Sequence, residues 1–177
     1  MPGLEKGDGS LLCEAPGGPF RQKTPVPFFQ TFIRENEVTF VAGEDSVQPD
    51  CFFRLLTAGR AVKLAFEIDQ STESLVSHAV SSVRRKLAIY HAYQETVLSQ
   101  WLAGGKTWER PRFRVVFLTQ SVERAYHILA VAAETTRNST RRLVYAATHE
   151  GYLTDDNPLH SPIFLDHRAP RGSRRFK

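Results

Sequence analysis

The stretch from Cys51 to Asp69 constrains the fold more than any other part of the chain. CFFRLL (Cys51 to Leu56) and VKLAFEI (Val62 to Ile68) are apolar runs of strand length. The turn at Gly59-Arg60 between them is short, so the spacing predicts an antiparallel hairpin. Gln48-Pro49-Asp50 bounds the first run as a turn. Side chains alternate along a strand, so Glu67 and Asp69 share one face while Phe66 and Ile68 share the other. The apolar pair is expected to face a helix layer. The two carboxylates would then point together at the strand end.

The rest of the chain extends this pattern. Pro27 to Ile33 and Glu37 to Val41 read as strands that pair with each other across Arg34-Glu35-Asn36. After the hairpin a long helix is expected, capped by Ser71 or Thr72, with Val76, Val80, Val83, Leu87 and Tyr90 at spacings of three and four. It should run to Leu102 and stop at Gly104-Gly105. Phe113 to Leu118 reads as a strand. Ser121 caps a second helix whose apolar face holds Val122, Ala125, Leu129 and Ala132. Leu143 to Ala147 reads as the last strand, and the segment through Leu153, Leu159, Ile163 and Phe164 as coil that docks apolar side chains. The expected class is α/β (α+β), with a mixed sheet: an antiparallel β-meander followed by a β-α-β crossover, with helices packed on the sheet.

Composition agrees with one domain and sets outer limits. The chain has 177 residues, 41% hydrophobic and 24% charged, which supports one core and excludes a wholly disordered chain, a fibre or a disulfide miniprotein. Residues 1–25 are rich in Gly and Pro and read as a flexible arm, 26–167 as the single domain, and 168–177 as a basic tail. No apolar run approaches the roughly 20 residues of a membrane span, and no signal peptide is visible. Cys13 and Cys51 are the only cysteines and read as free thiols, so a cytoplasmic location is expected.

The acids carry the candidate chemistry. With the hairpin closed, Asp50 comes to the strand end that bears Glu67 and Asp69. Three converging carboxylates make a hard-oxygen site suited to Mg2+ or Mn2+. Lys86 lies ~300° around the helix from Val83, beside Tyr90 at ~340°. It flanks the core-facing stripe while Arg85 points away, and it could reach the carboxylates. The same residues also have structural readings: Asp50 as a turn residue, Asp69 as part of the helix entrance, and Lys86 as a lysine snorkelling from an apolar face.

Together these motifs support a resemblance. Pro49-Asp50, Glu67-Ile68-Asp69, Thr72-Glu73-Ser74, Lys86-Leu87-Ala88-Ile89-Tyr90 and Arg114-Val115-Val116-Phe117 resemble, in order, the replication-relaxation protein family of bacteria and mobile elements. The likeness spans roughly residues 48 to 130. That family is similar in layout to PD-(D/E)xK nucleases, which implies a restriction-endonuclease-like core. On the resemblance, Asp50 and Glu67 are metal-binding acids, with Asp69 a further candidate ligand. The superfamily's usual lysine, two residues after the second acid, is replaced here by Asp69, so Lys86 takes its role. The implied function is metal-dependent DNA phosphodiester cleavage associated with plasmid or mobile-element replication. The alternative is a non-catalytic DNA- or protein-binding module that keeps the fold, as an accessory subunit of a mobile-element complex. Glu35 is the nearest substitute for the acid on that fold's opening helix.

A net charge of +4 permits DNA as a partner without requiring it. Arg84, Arg85, Arg112, Arg141, Arg142, Arg174 and Arg175 are the candidate phosphate contacts. The basic C-terminal run reads equally as a solubilising terminus. The histidines, among them His91, His149 and His167, read as surface residues. Trp101, Trp108 and Tyr152 could stack bases but read better as packing.

Overall fold

The structure, a computed structural model, describes residues 28–34, 37–57, 60–72, 75, 82–106, 111–136, 143–156, 158 and 162–174. The Gly/Pro-rich arm, Glu35, Trp108, Arg141, Arg142 and Arg175 lie outside these residues.

Strand β1 (Phe28–Arg34), the small pair β2 (Phe40–Ala42) and β3 (Asp45–Val47), and the long strands β4 (Cys51–Thr57) and β5 (Arg60–Asp69) come first. Helix α1 (Val83–Ala103), β6 (Arg114–Thr119), α2 (Val122–Thr135) and β7 (Val144–Thr148) follow. The short helix α3 (His149–Leu153) and strands β8 (Phe164–Asp166) and β9 (Ala169–Arg174) complete the chain. The main sheet has seven strands in the order β1-β4-β5-β6-β7-β8-β9. β5, β6 and β7 run parallel, while all other neighbours are antiparallel.

The hairpin expected from residues 51–69 is present, with Cys51 opposite Phe66 and Leu55 opposite Val62. Both crossovers are present as well, since β5 and β6 are joined through α1, and β6 and β7 through α2. The chain is therefore mixed α/β, with helices packed on a mixed sheet.

Several expectations are corrected. β1 pairs with β4 rather than with the following strand, and β2 pairs with β3. Gly43, at φ +67°, opens the two-residue turn of that small hairpin; an added Cβ would meet nothing within 4 Å, so the backbone angle favours glycine there, not crowding. Helix α1 begins at Val83, with Ser82 as its cap accepting from the Arg85 amide. Ser71 cannot be that cap: it sits at φ +61° in a bend some ten residues upstream. Val76 and Val80 lie outside the described residues. The C-terminal segment is more ordered than expected, because β8 and β9 pair with each other and carry residues 169–174 onto the sheet.

Two apolar layers hold the sheet. On one face Leu87 and Tyr90 of α1 and Ile128 and Leu129 of α2 pack against Ala65, Val115, Phe117 and Ala146. The β2–β3 hairpin adds Phe40 and Val47 to this layer. On the other face Leu64, Phe66, Val116, Tyr145 and Phe164 cluster with Tyr152 of α3. At ~25 cal/mol per Å2, each fully buried side chain of this size contributes about 1.5–3 kcal/mol. Phe66 therefore packs away from the two long helices, and Ile68 remains 46% exposed. The helices cover the face that carries Glu67 and Asp69, which reverses the expected orientation of the strand.

Candidate functional site

That reversal makes the site. Glu67 lies in the interior, 2% exposed, where a carboxylate needs partners. α1 supplies them: Lys86 Nζ donates to Glu67 Oε2 at 2.9 Å, and the Tyr90 hydroxyl donates to Oε1. Residues 86 and 90 are one helical turn apart, so both reach down from one stripe of α1. The expectation that Lys86 reaches over the sheet to the acids is met for Glu67.

Asp50 arrives from the turn before β4. Its Oδ2 accepts a hydrogen bond from the backbone N–H of Ile68. β4 begins at Cys51, opposite Phe66, so the Asp50 side chain bonds an amide just beyond the β4–β5 pairing. Asp50 thereby stands close enough to Glu67 for its charge to matter. Burial, with a smaller push from Asp50, raises the Glu67 carboxyl to about 7 against the lowering pull of Lys86 and the Tyr90 hydrogen bond. Cys51 is a half-buried free thiol. Burial raises it to about 11, with the charges of Asp50 and Glu67 adding to the effect. A thiol so raised is a poor nucleophile at neutral pH.

Asp69 has a separate environment. Both of its oxygens are held by the Arg124 guanidinium, at 2.8 Å from Nε and 2.9 Å from Nη2. This bidentate pair joins the end of β5 to the first turn of α2. Asp50 and Glu67 are thus brought together with Lys86, while Asp69 is committed to a neighbouring pair. Among the described residues, no group of three or more His, Cys, Asp or Glu side chains is placed to hold an ion by itself.

The arginines have mixed fates. Arg84 pairs with Glu134 of α2 at 2.6 Å. Arg85 pairs with Asp45 of β3, so it turns toward the small hairpin instead of pointing away. Arg112 is exposed just before β6, and Arg174 ends β9. Among the aromatics, Tyr152 packs between Phe66 and Phe164, and Lys106 lies over Trp101. His167 is not a surface residue: it is 5% exposed, with Nδ1 3.2 Å from the Val144 carbonyl oxygen.

Two site residues escape sequence reading. Tyr90 counts as a core aromatic by its spacing, and only its distance to Glu67 reveals the hydroxyl's role. Gln94 is buried and bridges Pro111 O and the Phe113 amide, fixing the entry to β6. A polar residue on the apolar stripe of α1, four after Tyr90, is the signal that marks it.

Comparison with protein-family models, curated proteins and solved structures finds no match for this chain. None of the helices is long and apolar enough to cross a membrane, among the described residues.

Proposed function

We propose that the chain is a metal-dependent phosphodiesterase acting on DNA, with a restriction-endonuclease-like core. The observation that carries this reading is the meeting of Asp50, Glu67 and Lys86 at one end of the β4–β5 hairpin. Asp50 and Glu67 would hold Mg2+ or Mn2+. The ion, when bound, lowers the pKa of a coordinated water and neutralises charge on the phosphodiester. Lys86 contributes positive charge beside Glu67, where it favours the ionised carboxylate and can stabilise a phosphorane oxygen. Tyr90 orients the Glu67 carboxylate by bonding its other oxygen. The proposed association with plasmid or mobile-element replication rests on the motif resemblance alone.

A second reading is favoured by the burial of Glu67 and by the engagement of both its oxygens. A carboxylate so enclosed also suits a structural ion pair in a non-catalytic DNA- or protein-binding module. Titration calorimetry with Mg2+ and Mn2+, with and without short duplex DNA, separates the two. The phosphodiesterase reading expects binding that is lost in both Asp50→Asn and Glu67→Gln, together with metal-dependent nicking of plasmid DNA. No metal binding by the wild type with DNA present overturns it in favour of the binding module.

A further inference from the structure

The main sheet ends in β1 on one side and β9 on the other. The two edge strands differ in kind. β9 carries Pro170, Arg171, Gly172 and Arg174. Proline, glycine and charge are what keep an edge strand from pairing with another chain. β1 reads Phe-Phe-Gln-Thr-Phe-Ile-Arg. It has no proline or glycine, and no charge before its last residue. Its one irregularity is at Gln30, which β4 skips; from Thr31 to Arg34 the pairing is regular.

Backbone groups alternate between the two sides of a strand, so β1 turns about half of its N–H and C=O groups away from β4. Among the described residues no strand lies on that side. The sequence just before β1 is poorly suited to pair there. It holds Pro16, Gly17, Gly18, Pro19, Pro25 and Pro27, and proline cannot donate to a ladder.

A second copy of the chain fits this edge better. A two-fold axis makes the pairing of two identical edges antiparallel. That continues the order already present, since β1, β4 and β5 are antiparallel neighbours. With the axis at Thr31, the middle residue of β1, the two strands overlap along their whole length. The pairing uses up the open edge of both copies and leaves β9 outermost at each end. Assembly therefore closes at two copies instead of growing into a fibre. A single strand pair is a small interface, below ~1,200 Å2, so the association is weak.

We propose that β1 is a self-association edge, through which two copies of the chain join their sheets antiparallel about a two-fold axis at Thr31. Asp50, Glu67 and Lys86 lie outside β1, so this inference does not rest on the metal site.

Sedimentation velocity and hydrogen exchange read by mass spectrometry, both on the full chain, test it. A shift from monomer to dimer is expected between about 1 μM and about 300 μM, the range of a weak interface. Peptides covering residues 28–34 should gain protection with concentration, and those covering β9 should not. Thr31→Lys and Thr31→Glu each set like charges opposite one another at the axis and should each weaken the dimer roughly fivefold. An equal mixture of the two variants should dimerise more tightly than either alone. Both variants should keep the wild-type melting temperature in dilute solution, and the exchange measurement on the wild type needs no variant. The inference is overturned by a chain that stays monomeric over the whole range. Protection of β1 that does not change with concentration also overturns it, since a segment of the same chain then covers the edge. So does a dimer that both Thr31 variants form as tightly as the wild type.

Discussion

Glu67 is a buried acid whose partners do not fully offset its lost hydration. Its folded pKa of about 7 exceeds the ordinary unfolded value of about 4.3, so the folded chain binds this proton more tightly. The stabilising contribution is complete below the unfolded pKa and is lost as pH rises through the folded one. Between pH 4 and pH 8, the stability of wild type relative to Glu67→Gln is expected to fall by on the order of 3 kcal/mol, measured by urea unfolding at each pH. A flat difference would contradict the assignment. Lys86→Met removes the main favourable charge and should push the Glu67 carboxyl higher still, visible in the carbonyl stretch of the protonated acid. Asp69 and Arg124 make a different case. Removing one partner of a buried ion pair costs roughly 3–5 kcal/mol. Arg124→Met should show a loss of that size, and Asp69→Leu combined with Arg124→Met should recover most of it. The Cys51 thiol, raised to about 11, should resist alkylation at pH 8 in the folded protein, read by peptide mass mapping, and react on unfolding.

At the scale of elements, the parts that were legible are those whose signals are local and redundant. The β4–β5 hairpin has two apolar runs and a short turn. α2 has a cap at Ser121 and an apolar stripe, of which Ala125, Leu129 and Ala132 are buried and Val122 is 45% exposed. α1 starts after Ser82 and not after Ser71-Thr72, because Ser82 has the extended backbone and a side chain that accepts from the Arg85 amide. Ser82→Ala should cost about 1 kcal/mol in chemical denaturation, whereas a cap at Ser71 would make Ser82→Ala nearly neutral. Strand partners were not legible for β1, since nothing local in Phe28–Arg34 says whether it joins the next strand or the one after. β8 is three residues long and β9 is rich in arginine, so neither carries a readable period. The site followed the same division. Position on strand ends and helix stripe singles out Asp50, Glu67 and Lys86, and of these the structure bonds Lys86 to Glu67. The covered face of β5 was assigned the wrong way round, because apolar side chains on both faces leave alternation without a preferred direction.

For the whole molecule, the sheet is a parallel centre with antiparallel additions on both sides, and this arrangement orders the events of folding. β4 and β5 meet across a short turn. β5 and β6 meet only after about fifty intervening residues are enclosed, as the pairing of Leu64 with Arg114 shows. Loop closure costs more entropy for the longer connection, and non-local pairing slows folding. Asp50 and Glu67 are therefore assembled by local closure, while Lys86 arrives only when α1 docks. In pulse-labelling hydrogen exchange during refolding, amides of β4 and β5 should become protected before those of β6 and β7. For that interval Glu67 stands at the strand end without the ammonium that later bonds it.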